Sequence, residues 1–246
     1  MEAAEWQARV DLAAAHRLAV HFGYNEGIDN HFTLLVPGHT DRFLLAPFGL
    51  HWSEIRASDF LVVDFAGSKL AGEGPVEDTA FHIHAPLHAA RPDLRCVMHT
   101  HMPYATALSL LEQPELLMAS QNAIGFAGLV ALCDYAGFAL DSGEGRRMAA
   151  ALGEKAVLLL RGHGVVTTGK SVAEAFNTLY FFERAAMVQI LAQSTGHRLR
   201  VVPEPVLGRT VEQYTASAEV EGLDRIELHF AALKRMLDRR EPDYAE

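Results

Sequence analysis

The stretch Cys96–Met102, CVMHTHM, closes an apolar run with two histidines one residue apart. Side chains of an extended chain alternate faces, so His99 and His101 point the same way, about 7 Å apart along the backbone. That spacing suits a grip on one metal ion. LRCVMHT (94–100) therefore reads as a strand that carries imidazoles to its C-terminal end. Arg91-Pro92-Asp93 stops a helix predicted over Asp78 to Ala90, and Pro103 to Leu111 suits another helix just beyond the strand.

Working outward, helices and strands alternate. Residues 3–22 place Val10, Ala14, Leu18 and Phe22 at helical spacing, and Gly23 ends the run. FTLLVPG (32–38), RFLLAPFG (42–49) and DFLVVDFAG (59–67) are short, apolar and closed by Gly or Pro, which predicts an antiparallel portion of sheet. Asp141-Ser142-Gly143-Glu144 opens a helix with a D-x-x-E pattern, and KAVLLL (155–160) follows as a strand. Ser171 and Glu174 form a second capping box, ahead of a long helix with Phe176, Leu179, Phe182, Ala186 and Ile190 on one face. Thr210-Val211-Glu212-Gln213 caps a C-terminal helix expected over about residues 210–238. With no internal repeat and no linker longer than VVPEPVLG (201–208), residues 1–246 are expected to form a single domain.

Composition narrows the partners. A formal charge of −10 repels nucleic acid and anionic membrane surfaces, which leaves small molecules or proteins. Cys96 and Cys133 cannot build a disulfide framework, and MEAAEW has neither a basic nor an apolar leader segment, so a reduced, cytoplasmic protein is expected. Leu116–Cys133 carries no charge over eighteen residues but includes Ser120, Gln121, Asn122 and two glycines. It falls short of a membrane span and reads as buried loop and strand.

A third imidazole stands in LLLRGHGVVTTG (158–169), where His163 lies between two glycines just past an apolar strand. Glycines permit a tight turn and close approach to a ligand. Three neutral imidazoles that leave one coordination position open make a catalytic zinc site, with Zn–N near 2.0–2.1 Å. The other histidines, such as His16, His82, His84 and His88 on helices, read as packed or solvated.

EGIDNHFTLLVPG (26–38), FLLAPFGLHWSEI (43–55), HAARPDLRCVMHTH (88–101) and LRGHGVVTTGKSVAEAFNTLYFFERA (160–185) together resemble the class II aldolase and adducin head-domain family. The resemblance spans residues 10–195 in the family's order and leans to the adducin-type branch. It implies a three-layer α/β/α sandwich around a mixed, largely antiparallel central sheet, and a homotetramer with active sites between subunits. It also implies a divalent metal, usually Zn2+ with Mn2+, Fe2+ or Co2+ as alternatives, held by His99, His101 and His163.

Departures from the sugar-phosphate aldolases of that family carry the functional expectation. Alignment through Arg91-Pro92-Asp93 puts Ala80 where those enzymes have a proton-transferring glutamate; Glu77, about one helical turn earlier, is a candidate substitute and His31 a second. Asp78 and Thr79 replace small hydroxyl residues of the phosphate pocket, and Phe48-Gly49 replaces a Thr-Gly turn. Asp78 would repel a phosphate and Phe48 would narrow its seat, so an unphosphorylated substrate is expected. Asn30 follows a glycine-containing turn beside the pocket, and Phe48, Trp52 and Phe126 could line an aromatic-sized space. The reading is a metal-dependent carbon–carbon lyase acting on a small hydroxy- or oxo-acid through a metal-stabilised enolate, with decarboxylation favoured over aldol cleavage because the family's glutamate is missing at Ala80. A non-haem iron oxygenase and a non-catalytic adducin-like interaction domain are the alternatives.

Overall fold

The computed structural model describes residues 2–246. Helix α1 (Ala3–Phe22) ends where Gly23, at φ 72°, turns its N–H back onto the last helical carbonyls. Then come β1 (His31–Leu35), β2 (Arg42–Leu45), β3 (Leu61–Asp64) and the exposed β4 (Lys69–Ala71). Helix α2 (Asp78–Ala90) leads into β5 (Cys96–Thr100) and α3 (Pro103–Ser109). A short α4 (Gln121–Ile124), β6 (Val130–Cys133), α5 (Ser142–Leu152), β7 (Val157–Leu160), β8 (Gly164–Gly169) and the long α6 (Val172–Gln193) follow. The chain closes with α7 (Glu204–Ala216), a hairpin of β9 (Glu219–Val220) and β10 (Leu223–Asp224), and α8 (Arg225–Arg240).

Eight strands form one sheet in the order β4-β3-β2-β1-β5-β8-β7-β6. Every pairing in it is antiparallel except β6 with β7. The alternation of side chains sorts this sheet into two cores, and so into three layers. Phe32, Leu34, Cys96, Met98 and Val165 join the cluster built with α1 and α6, whereas Val97 and Val166 join the one built with α2 and α5. His99 is in step with Val97 and therefore faces the α2 side. The β1/β5 register sets His31 directly opposite His99, and Thr33 opposite Val97. Two neighbouring strands thus present polar side chains to the underside of α2 at the end of the sheet where β5 stops.

Some local expectations need correction. The single helix expected over about 210–238 is two helices, and Thr210 lies inside α7 rather than at its cap. Its continuous amphipathic pattern is interrupted at Ser217 and Gly222, where the β9/β10 hairpin turns with Gly222 at φ 78°. Asp141 caps α5 through the Gly143 N–H, but Glu144 is drawn into a bidentate pair with Arg147 instead of reaching back. Ser171 accepts from the Glu174 N–H at 3.1 Å, and the Glu174 carboxylate reaches Lys170 N, one residue beyond the usual box. The uncharged 116–133 stretch contains a helical turn and the edge strand β6, and Leu129 and Leu132 on it are exposed rather than buried. Among the described residues no helix is long and apolar enough to cross a membrane.

Candidate metal centre

The end of β5 and the turn between β7 and β8 bring His99, His101 and His163 together. One ring nitrogen or equivalent donor atom from each lies within 4.8 Å of the others. Gly162, at φ 69°, makes the turn that carries His163, a conformation that L side chains rarely adopt. Gly164 is required for a different reason: a Cβ there would fall 2.5 Å from the Thr100 carbonyl oxygen and 3.0 Å from the His101 ring. The two glycines around His163 therefore do separate tasks, one turning the chain and the other allowing it to lie against β5.

Hydrogen bonds at the far side of each ring decide which nitrogen faces inward. His99 Nδ1 donates to the Val165 carbonyl at 3.0 Å, and His101 Nδ1 is bonded to the Glu26 carboxylate. Both Nε2 atoms are then unprotonated, yet they face each other at 3.1 Å. Two lone pairs at that separation repel unless a cation lies between them, and nitrogens each about 2.1 Å from one ion can span such a distance. The residues present therefore fit a divalent metal. A ring fixed by a carbonyl or carboxylate on its outer nitrogen is also the usual support of a histidine ligand. Burial keeps the cluster neutral, as ligands must be. It lowers His163 to about 4 and His99 well below its ordinary value, with the neighbouring imidazoles adding to both.

His31 stands beside this cluster, its ring centroid 4.9 Å from that of His99. Burial, reinforced by His101 and His163, lowers its pKa to about 3. Asn30, held at φ 77°, accepts from the His101 N–H at 3.3 Å and leaves its own Nδ2 buried without a partner. Glu77 lies 3.8 Å from His31 Nε2, but it is the N-cap of α2, accepting from the Thr79 and Ala80 N–H groups and from the Thr79 hydroxyl. Ala80, in the first turn of α2, is fully buried against the strands beneath that helix, so its position offers no polar group to the site.

A cavity lined by Asn30, His31, Phe48 and Glu77 adjoins His31, with a free volume of about 20 Å³. That is room for about one water or a group of similar size. Gly49, Asp78 and Thr79 do not line it: Gly49 and Asp78 are exposed, and the Thr79 hydroxyl is taken by Glu77. Of the three aromatics expected to line a ring-sized space, Phe48 and Trp52 do line this cavity and Phe126 does not, and the cavity is too small for an aromatic ring. Trp52 reaches it while packing on His16 and Phe32, whereas Phe126 packs on Phe182 in the core.

Four polar residues around the site are not read as part of it from the sequence: Glu26 and Thr33 are passed over, and His84 and His88 read as packed or solvated. His84 and His88 are fully buried, not solvated. Their i, i+4 spacing on α2 and the His31/Thr33 alternation on β1 are the signals that could have paired them.

The chain belongs to the Class II Aldolase and Adducin N-terminal domain family, whose model matches residues 10–190. Over its full length it is 38% identical to an aldolase II superfamily protein from Pseudomonas syringae, covering 98% of that chain with a TM-score of 0.91. An L-fuculose 1-phosphate aldolase from Glaciozyma antarctica is 25% identical over 98% of this chain and 93% of its own, with a TM-score of 0.84. Rat alpha-adducin is 35% identical over 94% of this chain, which corresponds to 33% of that longer protein.

Proposed function

We propose that this chain is a divalent-metal-dependent carbon–carbon lyase acting on a small, unphosphorylated hydroxy- or oxo-acid, with His99, His101 and His163 as the metal ligands. The observation that carries the reading is the pair of inward-facing Nε2 atoms, each backed by an acceptor on its outer nitrogen. A bound Zn2+, Mn2+, Fe2+ or Co2+ ion would supply Lewis-acid polarisation of a chelated carbonyl.

The protein's own residues supply proton transfer and selection. His31 is the candidate acid/base group, because it flanks the cluster and opens onto the cavity. The expectation of decarboxylation rested on the lack of a base at Ala80; His31 offers one, so aldol cleavage stands beside decarboxylation within the same lyase reading. Asn30 and Phe48 line the small cavity beside His31, which would take one group of the substrate. The Glu77 carboxylate in that small cavity takes over the phosphate-repelling role assigned from the sequence to Asp78. The similarity to an L-fuculose 1-phosphate aldolase makes the phosphate question the sharpest one to test.

Metal analysis of the purified protein, joined to a screen of hydroxy-, oxo- and aromatic acids for CO2 or aldehyde release, tests the proposal. Stoichiometric metal with release from an unphosphorylated acid is the expected result. Efficient cleavage of fuculose or ribulose phosphates contradicts the substrate class, and strictly oxygen-dependent turnover points instead to the iron oxygenase. The similarity to alpha-adducin supports a second reading, an interaction domain without chemistry; a protein that holds no metal and turns over no acid in the screen favours it.

We also propose that the chain self-associates, as a tetramer with each pocket completed by a neighbour. Phe138 and Leu140 are 80% and 73% exposed, close in sequence to Leu132 on the open edge of β6. A monodisperse species of 27.0 kDa in sedimentation at micromolar concentration rules this out.

A further inference from the structure

Behind His31 lies a polar chain for which the metal centre itself has no use. His31 Nδ1 meets His84 Nε2 at 2.6 Å, His84 Nδ1 meets the Thr33 hydroxyl at 2.5 Å, and the same hydroxyl meets His88 Nε2 at 2.8 Å. His84, Thr33 and His88 are fully buried, and His88 is stacked on Phe43 at the blind end. Polar groups this deep persist only when their partners are matched. Three imidazoles and a hydroxyl in a core otherwise made of Leu35, Phe43, Leu45, Leu61 and Val63 call for a reason.

The hydrogen-bond inventory allows few arrangements. A neutral imidazole has one N–H and one bare nitrogen, and a hydroxyl donates only once. Once the proton position is chosen at one end, every other position in the neutral chain follows. The reading of His31 as the proton-transfer group chooses it, because a bare Nε2 toward the pocket puts the His31 proton on Nδ1. One order then follows, in which the proton of His88 sits on Nδ1, without a partner at the blind end. Thr33 O–H donates to His88 Nε2, His84 Nδ1–H donates to Thr33, and His31 Nδ1–H donates to His84 Nε2.

We propose that Thr33, His84 and His88 are positioning residues that lock His31 in the Nδ1–H tautomer and so hold its bare Nε2 toward the pocket. The proposal rests on the reading of His31 as the proton-transfer group. A bare Nε2 can take a proton from a substrate hydroxyl, the need that Ala80 leaves unmet in aldol cleavage. Because the chain ends blind at His88, it orients His31 and conducts nothing onward.

Two-bond proton–nitrogen correlation spectra of histidine-labelled protein, with zinc added as a diamagnetic probe, read the tautomers without reference to activity. The expected pattern is Nδ1–H at His31, His84 and His88 together; an Nε2–H form at any of the three overturns the proposal, whatever any variant does. Thr33→Val keeps the shape of the side chain and removes the hydroxyl, and Thr33→Ser keeps the hydroxyl. Thr33→Val should give His31 a mixture of tautomers and lower kcat by about 10- to 100-fold with KM within about twofold, as loss of outer support does elsewhere, and Thr33→Ser should restore both. A His31 that stays wholly Nδ1–H in a folded Thr33→Val protein overturns the lock. If the spectra match but His31→Ala turns over substrate normally, the lock is upheld and the acid/base reading of His31 fails instead.

Discussion

Two groups of three histidines lie on the α2 side of one sheet, and they are wired in opposite ways. In the outer group, His99, His101 and His163 converge, and the outward nitrogens of His99 and His101 are engaged by Val165 and Glu26. In the inner group, His31, His84 and His88 run in series through Thr33. Convergent bare nitrogens repel and are incomplete without a cation, whereas a series of alternating donors and acceptors is complete without one. The residue type is the same in both; what differs is whether neighbouring rings face each other with like or unlike atoms.

The largest break in that comparison comes from the outer group. His99→Ala should remove a metal ligand and nearly all activity, read as loss of bound metal by elemental analysis and as turnover at background. Retention of stoichiometric metal by this variant would mean that the ion is held elsewhere. Next comes the support behind the ligands. Glu26→Gln keeps the size of the side chain but loses the charge that fixes the proton on His101 Nδ1, and metal affinity should fall about 10- to 100-fold in competition with a chelator. An unchanged affinity would show that the Glu26 contact is incidental to the site.

Acid should expose the burial of histidines away from the proposed metal ligands. His16, packed among Phe32, Trp52 and Phe60, has its pKa lowered by burial from 6.5 to about 4, and burial lowers His88 to about 3. The folded state therefore refuses protons that the unfolded chain accepts. Above pH 6.5 both states are neutral and the stability contributed is fully present. It is lost as pH falls from 6.5 toward 4, on the order of 3 kcal/mol for His16 alone. Urea unfolding of metal-free protein between pH 7.5 and 4.5 should show a steady decline, and a flat profile contradicts neutral burial of these rings.

Much of this architecture was legible in the sequence because it follows from local rules. Gly23 ended α1, Arg91-Pro92-Asp93 ended α2, and the two-residue period of CVMHTHM aimed His99 and His101 at one side. The inner group was not legible, since it depends on β1 pairing with β5 and on α2 lying over both, contacts between residues more than fifty positions apart. The i, i+4 spacing of His84 and His88 puts both rings on one face of α2, but it does not say whether that face is solvated or buried. The C-terminal helix was misread for a simpler reason: helical periodicity continues on both sides of a hairpin too short to disturb it.

The smallest effect is expected at Glu77, which joins neither group. Its carboxylate lies 3.8 Å from His31 Nε2, near enough to influence a proton there but beyond a hydrogen bond. Both of its oxygens already accept from backbone N–H groups at the start of α2, and one of them from the Thr79 hydroxyl as well. A carboxylate so engaged is a helix cap first, and loss of such a cap costs about 0.5–2 kcal/mol when no acceptor replaces it. Glu77→Gln keeps one acceptor oxygen, so the melting temperature should move only slightly and turnover should fall less than about threefold, against the 10²- to 10⁴-fold contribution typical of a general acid or base. A larger loss of kcat in a protein of unchanged stability would transfer the proton-transfer role from His31 to Glu77. The inner histidines would then be supporting the wrong residue for chemistry, and their arrangement would need a structural explanation.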